Sequence, residues 1–215
     1  IVYFRGGGRC RRLPGGSLND MERAATAQRA TKETEIRISL NLDGTGISQV
    51  STGVGFFDHM LTLFSAHGLF DLTVDAQGDL EVDFHHTVED VGLVLGEALD
   101  RALGDRNGIQ RYGHAVVPMD EVLTAVTVDL SRRPFLAFFL PSGHVPSAAF
   151  DTLLAKEFFR ALVSRGGLNL HLNVFYGENE HHIIESMFKA SGRALDQASA
   201  IDSRRTGAPS TKGAL

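Results

Sequence analysis

The chain has 215 residues, of which 43% are hydrophobic, and this is enough for one large domain or two small ones with a substantial core. Its net charge is −5, with 26 acidic and 21 basic residues, which disfavours a nucleic-acid-binding protein because such proteins usually carry a basic stripe. The single cysteine, Cys10, excludes an intramolecular disulfide and favours a reducing compartment such as the cytoplasm, and no apolar run approaches the roughly 20 residues of a membrane helix.

The first twenty residues differ from the rest of the chain. They are rich in Gly and Arg, lack an acidic residue before Asp20 and do not begin with Met. A secretory signal would need a longer apolar centre. We expect residues 1–28 to be a disordered leader or an upstream extension, with Met21 as the natural start, and an organellar targeting remnant is the alternative. Residues 29–215 are expected to form a single domain.

The first half of this domain shows alternating strand and helix patterns. "TEIRISLNLDGTG" predicts a strand with its apolar side chains on one face and a hairpin turn at Asp43-Gly44. "FFDHMLTLFSAHG" has helical spacing and stops at Gly68. "LFDLTVDAQGDLEVDF" predicts two strands around Gln77-Gly78, and "HHTVEDVGLVLGEALDRALG" predicts a helix with an apolar stripe.

The second half repeats this order of elements. "EVLTAVTVDLSRRPFLAFFL" predicts strand, turn and strand, and "FDTLLAKEFFRALVSRGG" predicts a helix that ends at glycines. "LNLHLNVFYG" predicts a strand, and "HHIIESMFKASGRALDQAS" predicts a second helix that begins with two histidines. We call the two helices that begin with this pair the HH helices.

The HH helices align without a gap at an offset of 96 residues. The offset superposes one set of ligand-type residues on another, namely His85, His86 and Glu89 on His181, His182 and Glu185. We infer an internally duplicated α+β unit, with repeats at about 31–117 and 118–207. Helices are expected to pack on sheets rich in antiparallel strands, and the two copies share one core.

Each HH helix carries donors that suit a metal ion. Residues three and four apart on a helix are neighbours, so Glu89 lies near both His85 and His86. Adjacent residues point about 100° apart, so the two histidines are better placed for different ions. Imidazole and carboxylate without a thiolate suit Mn, Fe, Co, Ni or Zn, with Mn favoured in an open octahedral site. A plain helix N-terminus, where Glu complements the dipole, is the alternative, and the second copy favours the metal.

The duplication predicts one further ligand in each copy. Counting back from the ends of the two other helices pairs His59 in the first repeat with Glu157 in the second. Both side chains are metal ligands of the same class as the HH donors.

The chain resembles the imidazoleglycerol-phosphate dehydratases of histidine biosynthesis from about Arg29 to Leu215. The motifs that carry the resemblance are "RATKETEI", "LDGTG", "GFFDHML", "HGLFDL", "DFHHTVEDVG", "GIQRYGHAVVPMDE", "DLSRRP", "HHIIESMFKA" and "PSTKG". The resemblance implies two ribosomal protein S5 domain 2-like halves, with helices between two mixed sheets. It also implies two Mn²⁺ per active site and a homo-oligomer, a 24-subunit cage of trimers with metal sites at subunit interfaces.

The resemblance also implies the residues of the site. The expected metal ligands are His59, His85, His86, Glu89, Glu157, His181, His182 and Glu185. Glu157 departs from the family pattern, because many members have His at this position. The expected contacts to the substrate and its phosphate are Glu33, Arg111, Arg133, Lys189, Ser210 and Lys212, with the tail ordered over the phosphate. The expected catalytic set is Glu33, His59, Glu89 and Glu185, with Glu33 as acid/base.

The implied reaction is the Mn-dependent dehydration of imidazole glycerol phosphate to imidazole acetol phosphate. No carbonyl acidifies the hydrogen that is lost, so a metal-bound imidazolate is expected to expel the hydroxyl while Glu33 moves protons. A dinuclear metal-dependent hydrolase of a small phosphorylated substrate would use similar donors, and a non-catalytic metal-stabilised shell protein is a third interpretation. The phosphate-binding residues and the "PSTKG" tail favour the dehydratase.

Overall fold

The computed structural model describes residues 23–205, 207, 209 and 210, and these residues form two four-stranded mixed sheets and four helices. The strands of sheet one are, in spatial order, β1 (Ala24–Ala30), β2 (Thr34–Asn41), β4 (Asp71–Gly78) and β3 (Ser48–Ser51). Those of sheet two are β5 (Tyr112–Met119), β6 (Val122–Asp129), β8 (Asn169–Tyr176) and β7 (Phe135–Phe139). The helices are α1 (Gly55–Gly68), α2 (His85–Leu103), α3 (Thr152–Gly166) and α4 (Glu180–Ser199). Within the described part of the chain, no helix has the length and apolar character to cross a membrane.

The two sheets share one topology and one register. In each sheet three strands pair antiparallel, and the remaining strand joins the edge in parallel. Ala24 pairs with Asn41 in sheet one, and Tyr112 pairs with Asp129 in sheet two, so the first hairpins match at an offset of 88 residues. The HH helices α2 and α4 match at 96. The predicted α+β duplication is confirmed, although its offset changes along the chain.

The helices lie between the sheets and are exchanged between the repeats. α2 packs on β1 and β2, and α4 packs on β5 and β6. The main helical partner of α4 is α1 from the first repeat, whereas that of α2 is α3 from the second. Buried rings of Phe57, Phe158 and Phe188, from α1, α3 and α4, join these layers with centroid separations of 5.1–6.4 Å. The two repeats therefore share one hydrophobic core.

Two glycines that the duplication places at equivalent positions allow the exchanged helices to approach closely. A Cβ on Gly192 of α4 would lie 2.4 Å from the carbonyl oxygen of Phe64 in α1. A Cβ on Gly96 of α2 would lie 2.6 Å from the carbonyl oxygen of Leu162 in α3. Both obstacles are backbone atoms, so neither can move aside without shifting a helix.

Two expectations about strands and turns are wrong. β4 ends at Gly78, and the following segment turns into α2 instead of forming a second strand. Asp79 donates its backbone N–H to the carbonyl of Glu33, in the turn before β2, and Val82 donates to the carbonyl of Asp79, so the segment forms a turn instead of a strand. Asp43-Gly44 is a turn, but it does not join neighbouring strands, because β2 pairs with β1 and β4 while β3 pairs with β4.

Two expected boundaries also differ from the structure. The expected leader extends to residue 28, but residues 24–28 belong to strand β1, which completes the edge of sheet one. The expected boundary between the repeats lies at residues 117 and 118, but this point falls inside β5, which opens the second repeat. The repeats are therefore separated by the loop between Leu103 and Tyr112. The expectations for residues 1–22 and for Lys212 concern positions outside the described residues.

We expect Gly192→Ala to lower the free energy of unfolding by about 1–3 kcal/mol, because the added methyl overlaps the α1 backbone. Gly55→Ala is the matched control, since Gly55 opens α1 and a Cβ added there would meet no heavy atom within 4 Å. Denaturant unfolding of both variants measures the difference, with Gly55→Ala neutral or stabilising. Equal stability of Gly192→Ala and the parent chain would contradict the close-approach interpretation.

Candidate metal centre

Three donor atoms from His59, His181 and Glu185 lie within 4.8 Å of one another. Nε2 of His181 is 3.1 Å and Nε2 of His59 is 3.7 Å from Oε2 of Glu185. His59 comes from the first repeat and the other two residues come from the second, so the helix exchange creates this group. We call it the α4 half-site.

Neighbouring groups fix the α4 half-site at the start of the helix. The side chain of Asn179 caps α4 by accepting from the backbone N–H groups of His181 and His182. The ring of Phe56 packs edge-on against His181 at 5.0 Å. Nζ of Lys189 lies 2.6 Å from Oε1 of Glu185 and leaves Oε2 facing the histidines.

The ionisation of Glu185 suits a ligand role. Burial alone would raise its pKa, but hydrogen bonds and charge from Lys189 and His181 outweigh this effect, so the pKa of Glu185 is lowered. Glu185 is therefore a carboxylate at neutral pH, and its charge is available to a cation.

The equivalent group on α2 consists of His85, Glu89 and Glu157, and we call it the α2 half-site. Nε2 of His85 lies 3.5 Å from Oε2 of Glu89. Glu157 and His85 both line a cavity of about 600 Å³. Arg160 forms an ion pair with Glu157 and lies 3.7 Å from Glu89, so a guanidinium engages the two carboxylates. Among the described residues only the donors of the α4 half-site converge within 4.8 Å, so those of the α2 half-site lie farther apart. Glu157 occupies the place on α3 that corresponds to His59 on α1.

The second histidine of each HH helix points away from its half-site and contacts a carboxylate. Adjacent HH rings are nearly perpendicular, with interplanar angles of 84° and 86°. Nδ1 of His86 lies 3.0 Å from Asp79 and 3.9 Å from Glu33. Nδ1 of His182 lies 2.8 Å from Glu121. The hydrogen bond to Asp79 raises the pKa of His86, and the hydrogen bond to Glu121 raises the pKa of His182. The bond from His182 is the main cause that lowers the pKa of Glu121 to about 2.

Glu33 is held beside His86 by its neighbours in the "RATKET" turn. Asp90 of α2 accepts from Arg29 at 2.9 Å and from the hydroxyl of Thr34 at 2.5 Å. These bonds fasten the turn between β1 and β2 over the first turns of α2. The side chain of Glu33 remains 58% exposed, so its carboxylate is accessible from solvent.

A second polar group forms where β5 begins and β6 ends. Arg111 makes a bidentate pair with Asp129 at 2.7 and 3.1 Å and donates to the carbonyl of Pro209 at 2.8 Å. Arg133 lies 3.5 Å from the same carboxylate, and its side chain is 66% exposed. Ser210 follows Pro209 directly. The structure thus brings Arg111, Arg133 and the C-terminal tail together, and we call this group the arginine cluster.

The arginine cluster lies far from both half-sites in the same chain. The backbone N–H of Arg111 bonds to the carbonyl of Ala198, near the end of α4. His181 lies 17 residues before Ala198, and this separation corresponds to about 26 Å along the helix axis. Arg132, beside Arg133, bonds to the carbonyl of Gly104, the C-cap of α2. Both HH helices therefore begin at the half-sites and end near the arginine cluster. Lys189, expected among the phosphate contacts, lies instead in the α4 half-site.

Several site residues were missed by sequence reasoning. Asp79 and Glu121 contact the second histidines, Asp129 holds both arginines, and Arg160 occupies the α2 half-site. Buried Glu180 accepts three backbone N–H groups from the segment leading into α3. The signal for Glu121 was present in the offset of 88 residues, but only the sheet register reveals that offset.

Comparison with known proteins gives a consistent family assignment. The family model described as imidazoleglycerol-phosphate dehydratase matches residues 52–195. Imidazoleglycerol-phosphate dehydratases of Desulfosudis oleivorans and Geobacter sulfurreducens are 58% and 56% identical over 195 residues, which is 91% of this chain and 100% of each relative. The crystal structure of the Staphylococcus aureus enzyme superposes with a TM-score of 0.74 at 41% identity, covering 83% of this chain and 99% of that one. The Pyrococcus furiosus structure superposes with a TM-score of 0.76 at 35% identity, covering 87% of this chain and 99% of that one. This chain therefore belongs to the imidazoleglycerol-phosphate dehydratase family, a family of lyases of histidine biosynthesis.

Proposed function

We propose that this chain dehydrates imidazole glycerol phosphate to imidazole acetol phosphate in a Mn²⁺-dependent reaction in the cytoplasm. The α4 half-site is the observation that carries the proposal, because two imidazoles and a carboxylate converge there with places left for further ligands. The single cysteine of the chain is compatible with a reducing compartment.

The donors fit Mn²⁺. They are nitrogen and oxygen atoms, and none of the half-site ligands is a thiolate. Glu185 is ionised and supplies negative charge, while the α2 half-site offers two carboxylates once Arg160 moves from them. Bound Mn²⁺ would supply Lewis acidity toward the imidazole and the diol of the substrate.

The residues of the chain supply binding and proton transfer. Arg111 and Arg133 provide charge-assisted hydrogen bonds for a phosphate, and Asp129 orients both guanidinium groups. Glu33 provides an accessible carboxylate next to His86, within the region where an imidazole ring would be held. We assign it the transfer of the carbon-bound proton, and the enol product then tautomerises to the ketone.

The distance between the clusters supports an active site shared by several chains. A substrate in which three carbons join imidazole to phosphate cannot span the ~26 Å from one end of α4 to the other. A half-site of one chain must therefore meet the arginine cluster of another. This arrangement requires a homo-oligomer, and we propose the 24-subunit cage of trimers with metal ions at subunit interfaces.

The outer face of sheet two provides a surface suited to such self-association. Val116 and Phe139 are 57% and 60% exposed. The register places them where sheet one carries Gln28 and Ser51. Sheet one forms the same fold with polar side chains at these positions, so the apolar side chains of sheet two are not needed for core packing. An exposed apolar face of this kind favours contact with another copy of the chain.

Removal of metal by chelation should abolish ketone formation, and Mn²⁺ should restore it. We expect a loss of at least about 100-fold, since Lewis-acid assistance contributes several kcal/mol to the barrier. The measurement follows the ketone formed from imidazole glycerol phosphate, together with release of inorganic phosphate. Phosphate release without ketone would identify a hydrolase, and loss of assembly with no activity in either state would identify a shell protein.

Glu33→Gln should keep metal content and oligomeric state but lower kcat about 10²–10⁴-fold, because the amide cannot exchange the proton. Gln occupies nearly the same volume, so the turn held by Arg29 and Thr34 stays in place. Metal analysis and light scattering serve as controls for the kinetic measurement. Normal turnover in this variant would refute the acid/base assignment.

Mixing two impaired variants tests the shared site. His181→Ala damages a half-site, and Arg133→Ala damages the arginine cluster and should lower kcat/KM about 10–100-fold. If the site combines residues of different chains, co-refolded mixtures contain some intact sites and exceed the activity of either variant alone. Variants refolded separately and mixed after assembly are the control. No gain after co-refolding would place both clusters in one chain's site.

A further inference from the structure

The carboxylate that contacts the second HH histidine comes from different elements in the two repeats. In repeat one Asp79, just after β4, bonds to Nδ1 of His86. In repeat two Glu121, in the turn between β5 and β6, bonds to Nδ1 of His182. The offset of 88 residues in the hairpins makes Glu121 the counterpart of Glu33, not of Asp79.

Repeat two has an exposed glutamate, Glu178, where repeat one has Asp79, yet His182 pairs with Glu121 and not with Glu178. β4 and β8 match at an offset of 98 residues from Asp71 and Asn169 onward, but a register shift between Leu123 and Thr124 adds one residue to β8. Gly177 beside Val122 is therefore the counterpart of Gly78 beside Thr34, and Glu178 is the counterpart of Asp79. Gly177 has φ +137, and a Cβ there would lie 2.4 Å from a methyl carbon of Val122. A side chain at this position is excluded by both backbone conformation and packing.

We infer that Asp79 and Glu121 are positioning residues that fix His86 and His182 for metal binding, and that Asp79 thereby leaves Glu33 available for proton transfer. The inference rests on the proposed function, because it assigns roles toward the metal that this function requires. It assigns different roles to two glutamates at equivalent positions of the repeats, because Glu121 positions a histidine whereas Glu33 transfers a proton.

The physical basis is control of the histidine tautomer. A carboxylate at Nδ1 favours the tautomer with hydrogen on Nδ1, so the lone pair on Nε2 is free for a metal. Glu121 does more than contact the ring, since its Oε1 accepts from the backbone N–H of Asn179 at 3.0 Å. Asn179 in turn caps α4. The turn, the helix start and the ring of His182 are therefore held as one unit.

The two glutamates differ in the hydrogen bonds that their carboxylates accept. Both oxygens of Glu121 accept hydrogen bonds, one from Asn179 and one from His182. Oε2 of Glu33 is 3.9 Å from Nδ1 of His86, beyond hydrogen-bond distance, because Asp79 takes that place. Of these two hairpin glutamates, only Glu33 keeps its carboxylate beyond hydrogen-bond distance of the HH histidine.

The test compares Glu121→Gln, Asp79→Asn and Glu33→Gln in the full assembled protein. In Glu121→Gln the amide oxygen stays on the backbone N–H of Asn179, so the NH₂ faces Nδ1, favours hydrogen on Nε2 and blocks the ligand atom. In both amide variants side-chain volume is kept, and the charge that holds hydrogen on Nδ1 is lost. Mn²⁺ affinity and stoichiometry are measured by equilibrium dialysis, and Tm is measured with and without Mn²⁺. Glu121→Gln and Asp79→Asn should each weaken one class of Mn²⁺ site about 10–100-fold. Glu33→Gln, the register-matched control, should keep both classes.

The metal-free Tm separates positioning from a purely structural role. For Glu121→Gln we expect a metal-free Tm close to that of the parent chain and a smaller rise on adding Mn²⁺. A lower metal-free Tm with an unchanged Mn²⁺-induced rise would overturn the inference. Wild-type affinity for both ions combined with lost turnover would also overturn it, because Glu121 would then act in the chemistry. A parent chain that binds no Mn²⁺ would instead refute the proposed function.

Discussion

The exchange of helices between the two repeats is the constraint on which the rest of the structure depends. α1 packs on α4 and α3 packs on α2, and glycines at the contacts bring the helix backbones together. This packing places His59 next to Glu185, although the two residues are 126 positions apart in the sequence. The α4 half-site therefore takes its third donor from the other repeat. Core formation and assembly of the half-sites are therefore one event.

The parts of the fold that carry strong periodicity could be predicted from the sequence. The HH helices were found because their histidines and glutamates recur at one offset within uninterrupted helices. β1 was missed because "AATAQRA" has Ala27 as its only buried residue, and this edge strand is specified by backbone pairing with β2. A strand after β4 was predicted because Leu80 and Val82 alternate with polar residues, yet Val82 is 64% exposed and belongs to a turn.

The candidate site could be predicted only in part from the sequence, because its grouping depends on features without strong periodicity. Donor identities follow from residue types, but their grouping depends on three different offsets: 88 in the hairpins, 96 in the HH helices and 98 in β4 and β8. Loops of unequal length cause these differences. Gaps of this kind hid the correspondence of Glu33 with Glu121. The separation of the arginine cluster from the half-sites was equally hidden, since it depends on which end of α4 meets β5.

The interlocked helices have a consequence for the origin of the fold. A single repeat with the same helix packing would leave the surface of its HH helix uncovered and its donor set incomplete. Such a precursor would have needed a second copy of itself, each copy lending its first helix to the other. The present chain is then a swapped dimer whose two halves became covalently joined. Once joined, the halves were free to differ, which is how one of them came to pair Glu121 with its HH histidine while the other paired Asp79 instead and left Glu33 beyond hydrogen-bond distance.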